Sequence, residues 1–292
     1  MAQHIAIVSY FSKGAYDTNT TDENLILSTI LHELGISHQI VAWSDSTVDW
    51  SSFSSLLIKS TWDYFDYYEE FKLWLATIRE LGIPVLNSLD TLEWNSSKRY
   101  LLQIESKGFP VISGHILEKG TVISASAIFK KISSEILVVK PLVSGGAKNT
   151  LKIVKKDWGN YANQVQALVD EEAYLVQPFV NEVQEVGEYS LIFFNGEFSH
   201  AVLKTPANED FRVQHYFGGT IKSVEPSLKM LDSCQKLMDN FGKDTLYARV
   251  DGVDCAGEFF LMELELIEPY LFLDISIEAL ANYKRAIATC LA

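Results

Sequence analysis

The 292 residues, 48% hydrophobic and 12% aromatic, can bury one large α/β core or two to three subdomains, and they argue against disorder. A formal charge of −14 and a pI near 4.9 make the surface acidic; phosphate backbones would be repelled, so a nucleic-acid partner is excluded from the expectation. No apolar run of about 20 residues exists for a membrane span. Cys234, Cys255 and Cys290 show neither zinc spacing nor a disulfide framework, and the chain enters a strand with no basic leader, so a cytoplasmic, reducing location is expected.

In chain order, His4–Tyr10 is a short apolar strand. Thr20 and Glu23 have the spacing of a capping box for an amphipathic helix ending near Gly35. Ile40–Ala42 and Leu56–Lys59 read as strands, and a helix from about Asp66 to Leu81 stops at Gly82 and Pro84. This β-α-β-β-α pattern predicts a small, open, largely parallel sheet. Ser96–Lys107 reads as one helix closed by Gly108 and Pro110. Ile136–Pro141 is a strand, Val143–Asn149 a Gly-containing loop, Tyr161–Val169 a helix and Ala173–Val180 another strand. From Glu188 the signals become antiparallel. Asn195-Gly196 joins Ser190–Phe194 to Glu197–Leu203, and after a helix at about Pro226–Phe241 a second hairpin spans Leu246–Ile267. A helix at about Ser276–Cys290 completes the chain.

The second hairpin carries the densest chemistry. Side chains two apart on a strand share a face, so Arg249 aligns with Asp251, and Glu263 with Glu265. A three-residue loop, Cys255-Ala256-Gly257, would bring both pairs to one face. Three carboxylates and a guanidinium in an apolar ladder need partners, and Mg2+ with oxygen ligands supplies one. The plain alternative is an exposed sheet face with ordinary ion pairs.

Lys140 ends an apolar strand and faces Ser144-Gly145-Gly146-Ala147-Lys148, whose backbone N–H groups can fold over phosphate oxygens. The spacing of a P-loop and the G-x-G-x-x-G fingerprint are both absent. Tyr174–Val180 reads as an edge segment that could bind an adenine through free backbone groups at Gln177, Pro178, Phe179 and Val180, with Glu188 taking the ribose. Ser60-Thr61-Trp62-Asp63-Tyr64 follows a strand of the open sheet, where such sheets bind ligands. Trp62 and Tyr64 would wall a small polar substrate while Asp63 or Thr61 orients it; the alternative is that both rings pack on the next helix. Lys204 could reach a phosphate, but a strict two-residue Asn-Gly loop puts Glu188 and Lys204 on opposite faces, so a bulge or twist must intervene. The six histidines, His4, His32, His38, His115, His200 and His215, are scattered and read as structural.

In this order the pieces resemble the ATP-grasp superfamily over nearly the whole chain. The carriers are Lys98 in Trp94–Tyr100, Lys140, the Ser144–Lys148 loop, Gln177–Val180, Glu188 and Glu263/Glu265. Ser60–Tyr64, Trp94-Asn95, Arg212, Gly218-Gly219 and Glu263–Pro269 are similar to the glutathione-synthetase-like branch, and within it to the cyclo-ligases that form D-cycloserine. The resemblance implies an ATP-grasp fold, mixed α/β and α+β, with an N-terminal open α/β domain (1–95) and two lobes (96–180 and 181–292) clamping ATP. It also implies that Lys98 and Lys140 hold phosphates, that Asp251, Glu263 and Glu265 bind Mg2+, two ions in all, and that Arg249 and Arg212 stabilise charge in transfer. Glu265 stands where the usual pattern has Asn, and an extra anionic oxygen suits magnesium. The expected activity is an ADP-forming ligase that phosphorylates a carboxylate or ureido group of an amino-acid-like substrate before amine attack. The alternatives are a phosphotransferase on the same fold and a nucleotide-binding regulatory module. A homo-oligomer is compatible with the sequence.

Overall fold

The first strands are short apolar runs separated by a helix and a turn, which is why they pair in parallel. A computed structural model describes residues 3–11, 21–207 and 218–292. Strands β1 (His4–Ser9), β2 (Ser37–Ala42), β3 (Ser55–Ser60) and β4 (Val85–Leu86) form a parallel sheet of order β2-β1-β3-β4, with helices α1 (Glu23–Glu33) and α2 (Tyr68–Leu81) between them in sequence.

The start of α1 differs from the capping-box expectation. Asp22 is the N-cap, accepting from the N–H groups of Asn24 (3.0 Å) and Leu25 (3.2 Å), and Thr20 lies outside the described residues. Glu23 instead turns into the interior, where the N–H groups of Leu271 and Leu273 and the Lys59 ammonium, 2.6 Å away, need an anion.

The helix expected at Ser96–Lys107 starts later, as α4 (Tyr100–Ser106), and a separate helix not read from the sequence, α3 (Leu89–Asn95), precedes it. Tertiary bonds impose the later start. Asn95 donates to Leu264 O (2.7 Å) and accepts from Leu266 N–H (2.8 Å), while Lys98 N–H donates to Leu142 O (2.8 Å). The turn between the helices therefore aims Lys98 inward.

Next come β5 (His115–Leu117), α5 (Ala125–Ile132), β6 (Ile136–Pro141), β7 (Leu151–Val154), α6 (Trp158–Glu171) and β8 (Tyr174–Pro178). Their antiparallel sheet has the order β5-β8-β6-β7, and Phe129, Val165 and Val169 of the two helices pack on Leu137, Val139 and Tyr174. After the short α7 (Glu182–Glu185), β9 (Glu188–Phe194), β10 (Glu197–Thr205), β11 (Thr220–Ser223), α8 (Leu228–Phe241), β12 (Tyr247–Cys255), β13 (Glu258–Glu265) and α9 (Ile277–Cys290) follow. These strands form an antiparallel sheet of order β11-β10-β9-β12-β13. One of its cores takes Met230, Cys234 and Leu237 of α8 with Leu101 and Ile104 of α4. Another joins Ile192, Phe194 and Tyr247 to Ile5 and Leu57 of the N-terminal sheet and Leu27 of α1.

Two bulges decide which side chains share a face. In β9–β10 the loop is the two-residue Asn195-Gly196, both left-handed (φ 50° and 79°), and Glu197 pairs with Phe194. Ser199 is then an extra residue, so His200 opposes Ile192 and Lys204 opposes Glu188. In β12–β13 the turn is also two residues, Ala256-Gly257 (φ 55° and 82°), because Cys255 pairs with Glu258; the expected three-residue loop is not what forms. Met262 is the extra residue here, so Asp251 opposes Glu263 and Arg249 opposes Glu265. Were Met262 paired instead of bulged, the shift of one residue would send both glutamates to the other face.

Candidate active site

A cleft of 580 Å³ opens between the three sheets. Lys98, Lys140, Glu188, Lys204, Arg249 and Asp251 line it, and so do Glu263 and Glu265. Charges this deep must be paired or met by a ligand, and two ion-pair networks do the pairing.

The first sits below the glycine loop. Lys140 Nζ is 2.8 Å from Glu263 Oε1, and Lys98 Nζ is 4.0 Å from the same oxygen while donating to Ser144 O (2.8 Å) and Ser144 Oγ (3.1 Å). Burial alone would raise the Glu263 carboxyl, but Lys140 and Lys98 outweigh it and hold it at about 2. Burial lowers the Lys98 ammonium, with Glu263 resisting and Lys140 adding to the fall.

The second network runs across β10, β9, β12 and β13. Lys204 Nζ is 2.6 Å from Glu188 Oε1 and 3.6 Å from Asp251 Oδ1. Arg249 Nε lies 3.0 Å from both Asp251 oxygens, its Nη2 lies 2.9 Å from Oδ2 and also meets Glu265, and Nη1 donates to Tyr270 O at 3.0 Å. Ser190 Oγ donates to Asp251 as well. Against the upward push of burial, Arg249 and Lys204 hold Asp251 at about 2. Glu265 goes the other way, to about 7, because burial plus Asp251 and Glu263 exceed what Arg249 returns. Burial and Asp251 also raise Glu188, with Lys204 opposing.

The acids thus share a face as the hairpin spacing predicts. Among the described residues, though, no three carboxylate, imidazole or thiolate groups converge as a cage for one ion. Their donor set still fits Mg2+, which usually binds through one or two carboxylates and completes its shell with phosphate oxygens and water.

The Ser144–Lys148 loop lies against the turn between β3 and α2. A Cβ on Gly145 would sit 2.5 Å from the Phe65 ring, Gly146 is left-handed (φ 58°), and Lys148 pairs with Asp66. Gly145 and Gly146 line the cleft beside Ser144. Gln177, Pro178, Phe179 and Val180 line its far end. That segment is not an edge: β8 lies between β5 and β6, and only beyond Val176 does it outrun the short β5. Nor are its backbone groups all open to a ligand, since Phe179 N–H donates to Ile136 O (2.9 Å) and Val180 O accepts from Val183 N–H (3.3 Å).

The Ser60–Tyr64 stretch divides. Trp62 and Tyr64 line the cleft, with Trp62 Nε1 donating to Glu268 O at 3.0 Å. Ser60, Thr61 and Asp63 do not line it. Ser60 Oγ donates to Asn24 (3.1 Å), Asp63 accepts from Trp43 Nε1 (2.7 Å), and Thr61 Oγ1 is buried without a hydrogen-bond partner among the described residues. Arg212 and His215 lie outside the described residues. His200 is structural, its Nε2 2.8 Å from Leu271 O, and all three cysteines are free thiols. Among the described residues no helix is long and apolar enough to cross a membrane.

Sequence reasoning assigned no role to Glu268, Tyr270 or Phe272, which also line the cleft. Glu268 stands only three residues beyond Glu265, but the chain has left the strand there, so strand alternation no longer signals its direction.

Comparisons with known proteins match both the N-terminal part of the chain and the part that follows it. Residues 5–87 match the family model of the D-cycloserine synthetase DcsG N-terminal domain, and residues 114–279 match that of the prokaryotic glutathione synthetase ATP-grasp domain. The cycloserine biosynthesis protein DcsG of Streptomyces lavendulae is 25% identical over 270 residues, 87% of this chain and 89% of that protein. A glutathione synthetase of Prochlorococcus marinus is 28% identical over 143 residues, 48% of this chain and 45% of its own. In fold, the crystal structure of D-cycloserine synthetase DcsG superposes with a TM-score of 0.86 at 23% identity, covering 99% of this chain and 100% of that one. The D-alanine–D-alanine ligase of Bacillus anthracis complexed with ATP gives 0.70 at 14% identity, covering 99% and 96%. With the glutathione synthetase model spanning more than half of the chain, this protein belongs to the prokaryotic glutathione synthetase ATP-grasp family and is an ATP-grasp ligase.

Proposed function

We propose that this ligase phosphorylates a carboxylate or ureido oxygen of a small amino-acid-like molecule and then joins it to an amine, the amine lying in the same molecule in the manner of a cyclo-ligase. In the first step the acceptor oxygen bonds to the γ-phosphorus of ATP as the bond to the β–γ bridging oxygen breaks, and ADP leaves. In the second the amine forms a C–N bond, the C–O bond to phosphate breaks, inorganic phosphate departs, and the amine loses a proton.

The observation that carries this reading is the Lys140–Glu263–Lys98 cluster beneath the glycine loop, beside the Arg249–Asp251 pair in one cleft. Lys98 and Lys140 hold phosphate oxygens, with Ser144, Gly145 and Gly146 above them. Gln177–Val180 takes the adenine, and Glu188 with Lys204 the ribose and a phosphate. Arg249 meets charge that develops during transfer, and catalysis rests on positioning and electrostatics rather than a covalent enzyme nucleophile. Asp251, Glu263 and Glu265 would hold Mg2+, as two ions, which supplies neutralisation of phosphate charge. Trp62 and Tyr64 wall the acceptor end. In this reading residues 1–95 shape that end, and 96–180 and 181–292 are the lobes that close on ATP.

The similarity to DcsG along most of the chain supports the intramolecular form. The test is ATP turnover with Mg2+ across small amino acids, ureido-amino acids and dipeptides. ADP and inorganic phosphate in equal amounts, dependent on an acceptor, support the ligase. ADP without free phosphate points to a phosphotransferase, and nucleotide binding with no turnover to a regulatory module.

A further inference from the structure

The segment after β13 holds a carboxylate that none of these roles uses. Three successive carbonyls there are each gripped by a side chain from elsewhere. Trp62 Nε1 donates to Glu268 O, Lys59 Nζ to Pro269 O and Arg249 Nη1 to Tyr270 O, all at 3.0 Å. Just beyond, the Leu271 and Leu273 N–H groups end on the buried Glu23 carboxylate. The backbone of this strap is fixed along its length, while the Glu268 side chain lines the cleft at the end walled by Trp62 and Tyr64.

Of the other acids that line the cleft, Asp274 accepts from the Thr21 hydroxyl and the remaining four each have a cation. Glu263 has Lys140, Asp251 has Arg249 and Lys204, Glu265 has Arg249, and Glu188 has Lys204. Glu268 has no ion-pair partner among the described residues; Lys98 and Arg249, whose charges pull its carboxyl down, make their close contacts to Ser144 and Asp251. Burial, with Glu265 nearby, pushes its carboxyl up to about 8, as befits a carboxylate short of a counter-charge. An anion would be repelled here. A compact cation would be paired by the carboxylate and favoured by aromatic walls.

We propose that Glu268 anchors the acceptor by pairing with a primary ammonium group at the Trp62–Tyr64 end of the cleft. The identification of that ligand as the acceptor rests on the ligase reading; the ammonium site itself does not.

The test uses the intact protein with Mg2+ and ADP, titrated calorimetrically with amino acids and their hydroxy-acid counterparts: alanine against lactate and serine against glycerate, each in D and L forms, and alanylalanine against lactoylalanine. ADP release with ATP is followed in parallel, and circular dichroism confirms the fold of the variants. At least one amine-bearing compound is expected to bind tenfold or more tighter than its hydroxy counterpart. Glu268→Gln should erase that preference, and Glu268→Asp should retain part of it. Equal binding of both series, no binding of any amine-bearing compound, or an undiminished preference in Glu268→Gln would overturn the proposal. Amine-selective binding without ADP release would uphold the site and sink the ligase reading. ADP release as ready with hydroxy acids as with amino acids would do the reverse.

Discussion

Lys204 stands opposite Glu188, its ammonium 2.6 Å from Oε1, because Ser199 is one residue too many for the ladder between β9 and β10. Met262 plays the same part in the neighbouring hairpin. Both bulges act on the same quantity, the face to which charged side chains project, and both correct a tight two-residue turn that alone would separate them.

Lys204→Met should therefore take that ammonium out of the cleft while leaving the hairpin in place. ATP affinity is expected to fall at least about tenfold, or about 1.4 kcal/mol, with far-ultraviolet circular dichroism little changed. Calorimetric titration of ATP checks it, and unaltered affinity would remove Lys204 from the nucleotide site.

Lys140→Ala and Glu263→Gln should each lower kcat by about a hundredfold to a thousandfold, the scale on which single preorganised electrostatic groups act. Steady-state ADP release measures this. Near-normal rates in either folded variant would dismantle the site assignment.

Asp251 and Glu263, both held at about 2, make acid stability a readout of the two networks. A carboxyl depressed on folding stabilises the native state above its unfolded value near 4, and that contribution disappears as pH falls toward 2. Wild-type denaturation midpoints should drop over this window. Lys140→Ala should show a shallower drop, since Glu263 loses its principal cation.

Glu268 has the opposite sign. A carboxyl raised to about 8 favours folding when protonated, so its contribution is complete below about 4.5 and is lost as pH rises through 8. Without ligands, Glu268→Gln should melt higher than wild type at pH 9, and the two should converge at pH 5. Equal melting temperatures at pH 9 would contradict this.

Gly252 sits beside the Met262 bulge, where a Cβ would overlap the Phe259 ring and the Phe260 carbonyl. Gly252→Ala should cost about 1–3 kcal/mol by overpacking, measured by urea denaturation.

Much of this was legible in the residues. The parallel N-terminal sheet follows from β-α-β-β-α spacing, and the alternation of Arg249 with Asp251 and Glu263 with Glu265 exposes a charged face without any structure. What local pattern does not carry is the single inserted residue. Ser199 and Met262 look like ordinary strand members, because a bulge leaves composition unchanged and alters only pairing. For Lys204 the need for a bulge could be deduced, but its position could not. The late start of α4 is similarly silent: Ser96-Ser97-Lys98-Arg99 contains no Gly or Pro, and long-range bonds from Asn95 and the Lys98 amide hold these residues out of a helix. Asp63 looked like a substrate ligand because it follows a strand end, yet a buried indole claims it.

The resting of the Gly145 loop on Phe65, with Lys148 paired to Asp66, sets a condition for recombination. The part of the chain that carries the glycine loop and the N-terminal part are not freely exchangeable. A chimera that borrows another family member's first 90 or so residues would have to import or restore an aromatic ring at Phe65 and an acid at Asp66. Otherwise the graft would change the Ser144–Lys148 loop along with the Trp62–Tyr64 end of the cleft it was meant to replace.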